Sequence, residues 1–371
     1  MKITAVTQHY YQRYHFVKVQ TDEDIYGFAE ATLRVKQPAI AECVKLLASH
    51  IIGKDAFDLE WRFNKFFCYD RWRGGVIMNT ALAAVETAIL DAIGKKLDQP
   101  IYNLLGGRIR DTVQLYANGW SAGGDIGKLK ETLGGLMGLG FKAFKWGPLP
   151  NPAYDSPWRD YPTKKMVDDG IKMVGLVREI VGPDIELLIE LHGRLDYDHA
   201  LRFCEGVAEF NPFFIEEPLF PDDLAGYRKL HEKTKIPLAQ GERQFTRWGH
   251  KLLLEEGATR VVQPDFAHCA GLLEAQKMGT NSETFGVLIA PHNSNGPQST
   301  MAAVHVDATL GNFYKQEYIV RNMEFDRVIN KTPMTIKDGG VDLVSLPPGL
   351  GLTPDFDAFA DDPGPQAMND W

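Results

Sequence analysis

The first third of the chain changes its hydrophobic period from that of strands to that of helices. Residues 1–33 alternate apolar and polar side chains in KITAVTQ, HFVKVQT and DIYGFAE, which predicts a small antiparallel sheet. Over residues 38–106 the apolar positions recur at helical spacing, most clearly in NTALAAVETAILDAIGKKL. The apolar face of that helix is predicted to carry Leu82, Val85, Ile89 and Ile93. These segments together predict an α+β domain.

From residue 112 onward, eight short apolar runs alternate with segments of helical period. An apolar run followed by a helix, repeated eight times, is the pattern of a (β/α)8 barrel. The runs are VQLYANGW, FKAFKWGP, IELLIELHG, PFFIEEPL, IPLAQGE, RVVQPD, GVLIAPHN and FYKQEYI. The remainder returns to short strands and a tail rich in Pro and Gly, which we expect to pack against the N-terminal region. The predicted α/β organisation is a capping domain at 1–112, a barrel at 113–325 and a C-terminal segment at 326–371.

Composition narrows the class of protein. The 371 residues carry a net charge of −9, with Lys and Arg scattered, which argues against a nucleic-acid partner and against a polybasic membrane patch. The four cysteines form no CxxC pair, so a reducing compartment fits best. We find neither a signal peptide nor an uninterrupted apolar run of about 18 residues. A soluble, cytoplasmic protein is predicted.

Polar side chains recur at a nearly constant interval near the ends of the apolar runs. Successive members of the series are 26, 26, 23, 27 and 25 residues apart, which is the length of one strand–loop–helix–loop unit. Such a series places its members on one rim of a barrel, where barrel enzymes carry their active sites. The series is Glu190, Glu216, Glu242, Asp265, His292 and Glu317.

The first three members of the series, Glu190, Glu216 and Glu242, end successive predicted strands. Three converging carboxylates without basic partners repel one another. A hard divalent cation resolves the repulsion, and ligation by oxygen alone favours Mg2+, or Mn2+, over zinc. Taken singly, each glutamate is equally well explained as a solvated loop residue or as a neighbour of a helix N-cap. Three in register favour a metal site.

Asp265 and His292 end the sixth and seventh predicted strands, so their side chains are expected to form a hydrogen bond. Asp265 would then orient His292 and increase its basicity. A core histidine bonded to backbone is the structural alternative. Lys145 ends the second predicted strand and is expected to face the metal rim, with a solvated lysine as the alternative. The second acid of FIEEP, Glu217, is expected to brace neighbouring groups or to face a helix.

Seven short motifs carry a resemblance to a known family. They are FKW, IELHGR, IEEP, GE, QPD, PHNSNGP and QEY, in that order. Taken together, they resemble the enolase superfamily, specifically its mandelate-racemase-like sugar-acid dehydratases, and look similar to galactonate and gluconate dehydratases. The resemblance covers essentially the whole chain. It implies a modified (β/α)7β TIM barrel with an N-terminal α+β capping domain that the C-terminal segment completes.

The resemblance also implies a role for each residue on the rim. The three glutamates look like the Mg2+ ligands, and Asp265 with His292 look like the dyad whose histidine removes the proton alpha to a carboxylate. Glu317 resembles the group that hydrogen-bonds the substrate carboxylate. Lys145 matches the first lysine of the family's K-x-K motif.

Two positions depart from the family pattern. Gly147 stands where the second lysine of K-x-K would be, which argues against a two-base racemase that uses that lysine. The first metal ligand is Glu190, where the family more often has aspartate. His192 follows Glu190 by two residues, so strand alternation is expected to bring both side chains into the site. The same ligand-x-histidine arrangement occurs in family members that dehydrate aldonic acids, which implies that His192 protonates the departing hydroxyl.

The expected reaction is Mg2+-dependent dehydration of an aldonic acid to a 2-keto-3-deoxy acid. His292 would remove the alpha proton, the metal and Lys145 would stabilise the enediolate, and His192 would donate a proton to the leaving hydroxyl. Epimerisation, or cycloisomerisation of an anhydrosugar acid or lactone, is the alternative on the same site. A metal-dependent barrel hydrolase or aldolase fits less well, because such enzymes usually need a histidine-rich metal site or paired catalytic carboxylates.

Substrate contacts are expected from the capping domain and from the loop that follows the second barrel strand. The candidates are Glu30, Arg71, Arg73 and Trp146. A structural role is at least as good an explanation for each of them; the two arginines could pair with acids such as Asp70. The proline-rich segment PLPNPAYDSPWRDYP is expected to contribute to a lid. Family analogy implies a homo-oligomer.

Overall fold

The computed structural model describes residues 1–120, 125–150 and 162–359. Its N-terminal elements are β1 (Ile3–Tyr11), β2 (Tyr14–Thr21), β3 (Tyr26–Glu30), α1 (Gln37–Ile51), α2 (Leu59–Phe63), α3 (Val76–Leu97) and α4 (Ile101–Leu104). The three strands pair antiparallel in the order β1–β2–β3. The sheet predicted from the alternating pattern is therefore confirmed.

Helix α3 is buried on every side, so the single apolar face predicted for it was too narrow. All residues from Asn79 to Gly94 are buried, because the helix packs against β2, β3, α1 and a helix of the barrel. By length and composition α3 could also cross a membrane, but 83% of its most apolar window is buried inside the protein. Its apolar character is that of a core helix.

The middle of the chain alternates strands and helices. The strands are β4 (Thr112–Asn118), β5 (Ala143–Trp146), β6 (Glu186–Glu190), β7 (Phe214–Glu216), β8 (Leu238–Gln240), β9 (Val261–Val262), β10 (Leu288–Ile289) and β11 (Gln316–Ile319). The helices are α5 (Ile126–Gly138), α6 (Lys164–Val181), α7 (Tyr197–Val207), α8 (Leu224–Lys233), α9 (Thr246–Glu255), α10 (Leu272–Thr284) and α11 (Pro297–Asp307). All eight predicted apolar runs contain a strand.

These eight strands form a parallel barrel whose ladder has one gap. Neighbouring strands pair in the order β11, β4, β5, β6, β7, β8, β9 and β10. No continuous ladder joins β10 to β11 within the described residues. The gap is spanned by one bridge between Ile289 and Phe313, with backbone hydrogen bonds from Ile289 N to Asn312 O (3.0 Å) and from Tyr314 N to Ile289 O (2.9 Å).

Side-chain alternation along the strands determines what lines the barrel interior. An apolar layer fills its lower part, formed by Tyr116, Ala143, Leu188, Phe214, Ala239, Val261 and Ala290. Because alternate residues of a strand face the same side, the residues two positions further along lie above this layer. These include Lys145, Glu190 and Glu216 on β5, β6 and β7, and Gln263 and His292 just beyond the ends of β9 and β10. The apolar layer is thus a floor under a polar rim.

The C-terminal segment returns to both the barrel and the capping domain. It contains α12 (Asn322–Ile329), β12 (Asn330–Thr332), β13 (Ile336–Lys337), β14 (Gly340–Asp342) and β15 (Thr353–Pro354). Strand β14 pairs antiparallel with β4, and Phe356 and Phe359 pack against the capping-domain ring of Phe28 at 5.4 Å between centroids. This confirms that the segment completes the cap. The residue boundaries given for the domains stay predictions.

Two buried carboxylates of the capping domain accept hydrogen bonds from the N-termini of two barrel helices. Glu30 accepts hydrogen bonds from the backbone of Gly296 (2.8 Å) and Ser299 (3.3 Å) at the start of α11. Glu86 accepts one from Leu273 (3.0 Å) at the start of α10. Carboxylates suit these positions because the first amides of a helix are unpaired and carry partial positive charge. The two helices follow β9 and β10, so the docked cap holds the segments that carry Asp265 and His292.

We predict that His305→Gln makes the free energy of unfolding less dependent on pH. His305 is fully buried, accepts from Tyr102 N (3.2 Å) and contacts Leu350 O at 3.2 Å. Burial lowers its pKa to about 4, whereas the unfolded chain binds the proton near pH 6.5. A depressed histidine pKa means that its contribution is complete above about pH 6.5 and is lost as the pH falls toward 4.

The measurement is urea unfolding of both proteins at pH 7 and pH 5. The difference in the free energy of unfolding between the unsubstituted protein and His305→Gln should fall by about 2 kcal/mol from pH 7 to pH 5. This is because pH 5 lies about 1.5 units below the unfolded-state pKa of the histidine, and 1.5 units correspond to ~2 kcal/mol. An advantage that stays constant, or that grows at pH 5, would contradict the prediction.

Candidate active site

Two of the three predicted metal ligands are strand ends, and the third lies in a turn. Glu190 and Glu216 are the last residues of β6 and β7 and pair in register. Strand β8 ends at Gln240, so the expectation that Glu242 also ends a strand was wrong. Gly241, with φ of +140°, turns the chain there, and a Cβ at this position would lie 2.9 Å from the backbone nitrogen of Gln263.

The three carboxylates nevertheless converge. One ligand atom from each of Glu190, Glu216 and Glu242 can be chosen so that all lie within 4.8 Å of one another. Burial raises the pKa of Glu190 to about 7 and that of Glu216 well above its usual range. The neighbouring His292 and Arg243 outweigh burial at Glu242 and lower its pKa to about 2. Three converging carboxylates, two of which carry their charge unfavourably without a cation, suit a hard divalent metal ion. The three carboxylates are therefore chemically suitable ligands for a divalent metal ion.

Lys145 is the central positive charge of the rim. Its side chain is 1% exposed, and its Nζ lies 2.8 Å from Glu216, 2.9 Å from Glu317 and 3.8 Å from Glu190. Burial alone would lower the pKa of this lysine, but the surrounding carboxylates raise it well above its ordinary value. Lys145 is therefore a fixed cation that faces the site, as the strand alternation predicted.

Asp265 and His292 form the predicted dyad. Asp265 Oδ2 lies 2.9 Å from His292 Nδ1, and the backbones of the two residues form a parallel bridge. The other ring nitrogen, Nε2, lies 3.1 Å from Glu242. Burial opposes the charge on this imidazole, but Glu242, Glu317 and Asp265 outweigh burial and raise its pKa well above the ordinary value. Each ring nitrogen of His292 therefore faces a carboxylate.

His192 reaches the rim through a turn and not through strand alternation. Strand β6 ends at Glu190, and His192 adopts the left-handed region with φ of +53°. Its Nδ1 lies 3.9 Å from Glu190, and 49% of its side chain is exposed. Desolvation by surrounding atoms lowers the pKa of this histidine, although the exposed half of the ring limits the effect.

The space for the His192 ring depends on Gly147. A Cβ at position 147 would lie 3.6 Å from Cε1 and 3.8 Å from Nδ1 of that ring. A methyl group would just fit, whereas a long side chain would compete with the imidazole for the same volume. Gly147, which stands in place of the second lysine of K-x-K, therefore leaves the space that the ring of His192 occupies.

Arg243 links the turns after three strands and was missed in the sequence. Its Nη2 lies 2.7 Å from Glu217 and donates to the carbonyl of His192 at 3.4 Å, and its Nε lies 3.3 Å from Glu242. Glu217 is fully buried, and burial raises its pKa to about 9. Arg243 is therefore the neighbouring group that Glu217 braces. The adjacency of Arg243 to a predicted ligand, in GER, was the available signal.

Glu317 lies at the base of the site with its carboxylate fully engaged. It accepts from Asn293 N at 2.9 Å and from Tyr116 OH at 3.3 Å, and it also binds the Asn118 amide. Gln263, the first residue of the QPD motif, donates to Glu216 at 2.6 Å. The sequence did not indicate these hydrogen-bond partners, because each pair joins two different strands or the turns that follow them.

The four predicted substrate contacts lie in three different environments. Glu30 is bound to the start of α11 as described above. Arg71 is exposed, and Arg73 is exposed with its guanidinium 5.6 Å from the ring of Phe67. Trp146 is buried in the apolar cluster between barrel and helices, on the face of β5 opposite Lys145. The central part of the predicted lid, 151–161, lies outside the described residues.

Two family models together match most of the chain. The family described as "Mandelate racemase / muconate lactonizing enzyme, N-terminal domain" matches residues 1–106, and "Enolase C-terminal domain-like" matches residues 129–358. A D-galactonate dehydratase of Xanthomonas oryzae pv. oryzae is 34% identical over 365 residues, which cover 96% of this chain and 93% of the relative.

Solved structures agree as well. A member of the enolase superfamily from Salmonella Typhimurium has a TM-score of 0.88 at 28% identity, covering 96% of this chain and 97% of its own. A mandelate racemase/muconate lactonizing enzyme-like protein from Rubrobacter xylanophilus has a TM-score of 0.88 at 28% identity, with 96% of both chains covered. Enzymes of this superfamily use a divalent metal ion, which the three glutamates could hold. The chain belongs to the enolase superfamily, as a hydro-lyase with the mandelate racemase/muconate lactonizing enzyme type of N-terminal domain.

Proposed function

We propose that the protein dehydrates an aldonic acid to a 2-keto-3-deoxy acid with Mg2+, or Mn2+, held by Glu190, Glu216 and Glu242. One observation carries the proposal: the carboxylate cluster lies on the same rim as the Asp265–His292 pair and a second histidine, with His292 Nε2 3.1 Å from Glu242. Two histidines suit a dehydration, because one must accept a proton and the other must donate one.

A divalent cation bound by the three glutamates would place positive charge beside a substrate carboxylate. It would also compensate the negative charge of Glu242, whose carboxylate faces His292. Lys145 is the protein's own cation beside that position, and it is held by Glu216 and Glu317 at 2.8 Å and 2.9 Å. We assign to Lys145 the stabilisation of the negative charge that develops on the substrate carboxylate. A preorganised, buried cation does this without reorganisation during the reaction.

His292 is the proposed general base. Its Nδ1 lies 2.9 Å from Asp265, which fixes the ring, and its Nε2 points to the carboxylate cluster. Once its proton is lost, Nε2 can accept the alpha proton of the substrate as the C–H electron pair moves toward the carboxylate. The catalytic nitrogen is therefore selected by the hydrogen bond that the other nitrogen makes.

His192 is the proposed general acid. It would donate a proton to the beta hydroxyl as the C–O bond breaks, so that water leaves and an enol remains, which tautomerises to the 2-keto-3-deoxy acid. Desolvation lowers the pKa of His192. The assignment therefore requires that the ring gains its proton once the anionic substrate lies beside it.

D-galactonate is the first substrate to test, because the 34% identical relative bears that name. The screen should include other aldonic and aldaric acids, with 2-keto-3-deoxy products as the readout. EDTA should abolish turnover, and Mg2+ or Mn2+ should restore it. Formation of an epimer, or turnover that EDTA leaves unchanged, would overturn the proposal in favour of epimerisation or of metal-free chemistry respectively.

We predict that His192→Asn separates the two proton transfers. Elimination should fall by about 100-fold or more, the loss typical for a general acid, while exchange of the alpha proton with D2O, followed by NMR, should continue. His50→Asn, at an exposed position of α1, is the matched control and should change neither rate. Equal loss of exchange and elimination in His192→Asn would contradict this division of labour.

Cytoplasmic location and a homo-oligomeric state stay predictions. The four cysteines, Cys43, Cys68, Cys204 and Cys269, are free thiols, and the reducing compartment inferred from their spacing is likewise a prediction. Size-exclusion chromatography with light scattering would measure the oligomeric state directly.

A further inference from the structure

His268 lies against the dyad and has no part in the proposed reaction. The residue is buried, and its Nε2 lies 3.6 Å from Asp265 Oδ2. That oxygen is the one that lies 2.9 Å from His292 Nδ1. Two imidazoles thus face a single carboxylate oxygen, and a proton on Nε2 of His268 would compete with His292 for it.

The tautomer of His268 decides whether this competition occurs. A neutral imidazole carries one N–H, on either Nδ1 or Nε2. Burial lowers the pKa of His268 and outweighs the opposing effect of Asp265, so the neutral ring is the relevant state. If the proton is on Nδ1, Nε2 can only accept a hydrogen bond. It then cannot donate to Asp265, whose carboxylate stays available to His292.

Thr80, on helix α3 of the capping domain, selects between the two tautomers. Its hydroxyl lies 2.6 Å from the carbonyl oxygen of Val76 and 2.9 Å from His268 Nδ1. The carbonyl can only accept, so the single hydroxyl proton is used in that bond. The lone pairs of Thr80 Oγ1 then accept a proton from Nδ1 of His268.

The opposite side of the ring agrees with this assignment. The amide nitrogen of Asn295 lies 3.5 Å from Nε2 of His268. An amide NH2 group can only donate, which suits an unprotonated Nε2. The long distance makes this a supporting contact, and the bond to Thr80 is the stronger constraint.

We propose that His268 is a positioning residue: Thr80 holds it in the tautomer protonated on Nδ1, so that Asp265 Oδ2 serves His292 alone. The inference rests on the proposed function, because it takes His292 to be the general base. It means that the capping domain acts on the base, through two residues 188 positions apart in the chain.

The test compares Thr80→Val, which removes the hydroxyl at nearly constant volume, with Thr80→Ser, which keeps it. Magic-angle-spinning 15N NMR of histidine-labelled protein without substrate reports the tautomer. The His268 signals among the ten histidines are identified by their loss in His268→Gln. Turnover of the best substrate from the aldonate screen and the melting temperature are measured on the same samples.

Thr80→Ser should keep the Nδ1–H tautomer and near-normal turnover. Thr80→Val should move the proton to Nε2 and reduce kcat about tenfold, with KM little changed. This loss is well below the ~10⁴-fold effect of a catalytic histidine held in the wrong tautomer, because His292 keeps its own bond to Asp265.

Two results would overturn the proposal: an Nε2–H signal in the unsubstituted protein, or a Thr80→Val variant that retains the Nδ1–H tautomer. If Thr80→Val and Thr80→Ser lost the same fraction of kcat, and their melting temperatures fell in parallel, Thr80 would have a structural role only. If the unsubstituted protein turns over no sugar acid, the proposed function fails, but the NMR result still decides the tautomer.

Discussion

His292→Asn is expected to lower kcat/KM for aldonate dehydration by about 10³-fold, within the range for removal of a positioned general base. Asparagine keeps a polar group near Asp265 but has no nitrogen that can accept the alpha proton. Unlike His192→Asn, this variant should also lose exchange of the alpha proton with D2O, because exchange and elimination share the abstraction step. Steady-state kinetics and deuterium incorporation measured by NMR give both rates.

The variant should still bind a divalent cation, since His292 is not among the three glutamates that converge within 4.8 Å. Calorimetric titration with Mn2+ separates loss of the base from loss of the metal site. His50→Asn again serves as the control for a histidine remote from the rim. Turnover within tenfold of normal in His292→Asn would contradict the assignment of the base.

Lys145→Met is expected to destabilise the metal-free protein by about 3–5 kcal/mol, the cost of removing one partner from a buried ion pair. Lys145 is 1% exposed and lies within 4 Å of three carboxylates. Methionine fills similar volume but leaves Glu190, Glu216 and Glu317 without their central positive charge. Chemical denaturation in EDTA measures the loss.

Added Mg2+ should restore part of the lost stability, because a cation bound only by the folded state shifts the unfolding equilibrium. Turnover should remain low, since the charge that faces the substrate carboxylate is gone. Lys142→Met, three residues away and exposed, is the matched control and should change stability by less than about 0.5 kcal/mol. A loss below 1 kcal/mol in Lys145→Met would contradict the central role of this cation.

The rim residues on regular strands were predictable from local rules. Glu190 and Glu216 end parallel strands and Lys145 is one residue from the end of β5, and side-chain alternation turns all three to the interior above the apolar floor. The interval of about 25 residues reflects the length of one barrel unit. A parallel barrel brings all strand ends of one direction to the same rim, so regular spacing along the chain becomes proximity in space.

Residues that lie just beyond the strand ends were identified for a reason that the structure corrects. Glu242 reaches the cluster only because Gly241 adopts a φ of +140°, and His192 reaches the rim through a left-handed turn with φ of +53°. Alternation applies within a strand and stops where the strand stops. The regular interval selected Glu242 and the two-residue spacing from Glu190 selected His192, and turn geometry placed both.

The supporting contacts could not be predicted at all. Thr80 meets His268 across 188 residues, and Glu30 meets Gly296 across 266 residues. Trp146 illustrates the converse: it was a candidate for a substrate contact, but it lies on the face of β5 opposite Lys145 and its ring is in the core.

By itself, the sequence determined the fold class, the family and the residues with the chemistry of the site, because these depend on periodicity and on the order of short motifs. Tertiary structure decided how the charges are balanced around Lys145, how Gly147 makes room for His192, and which capping-domain groups hold the dyad. Those features depend on contacts between segments that only the folded chain brings together.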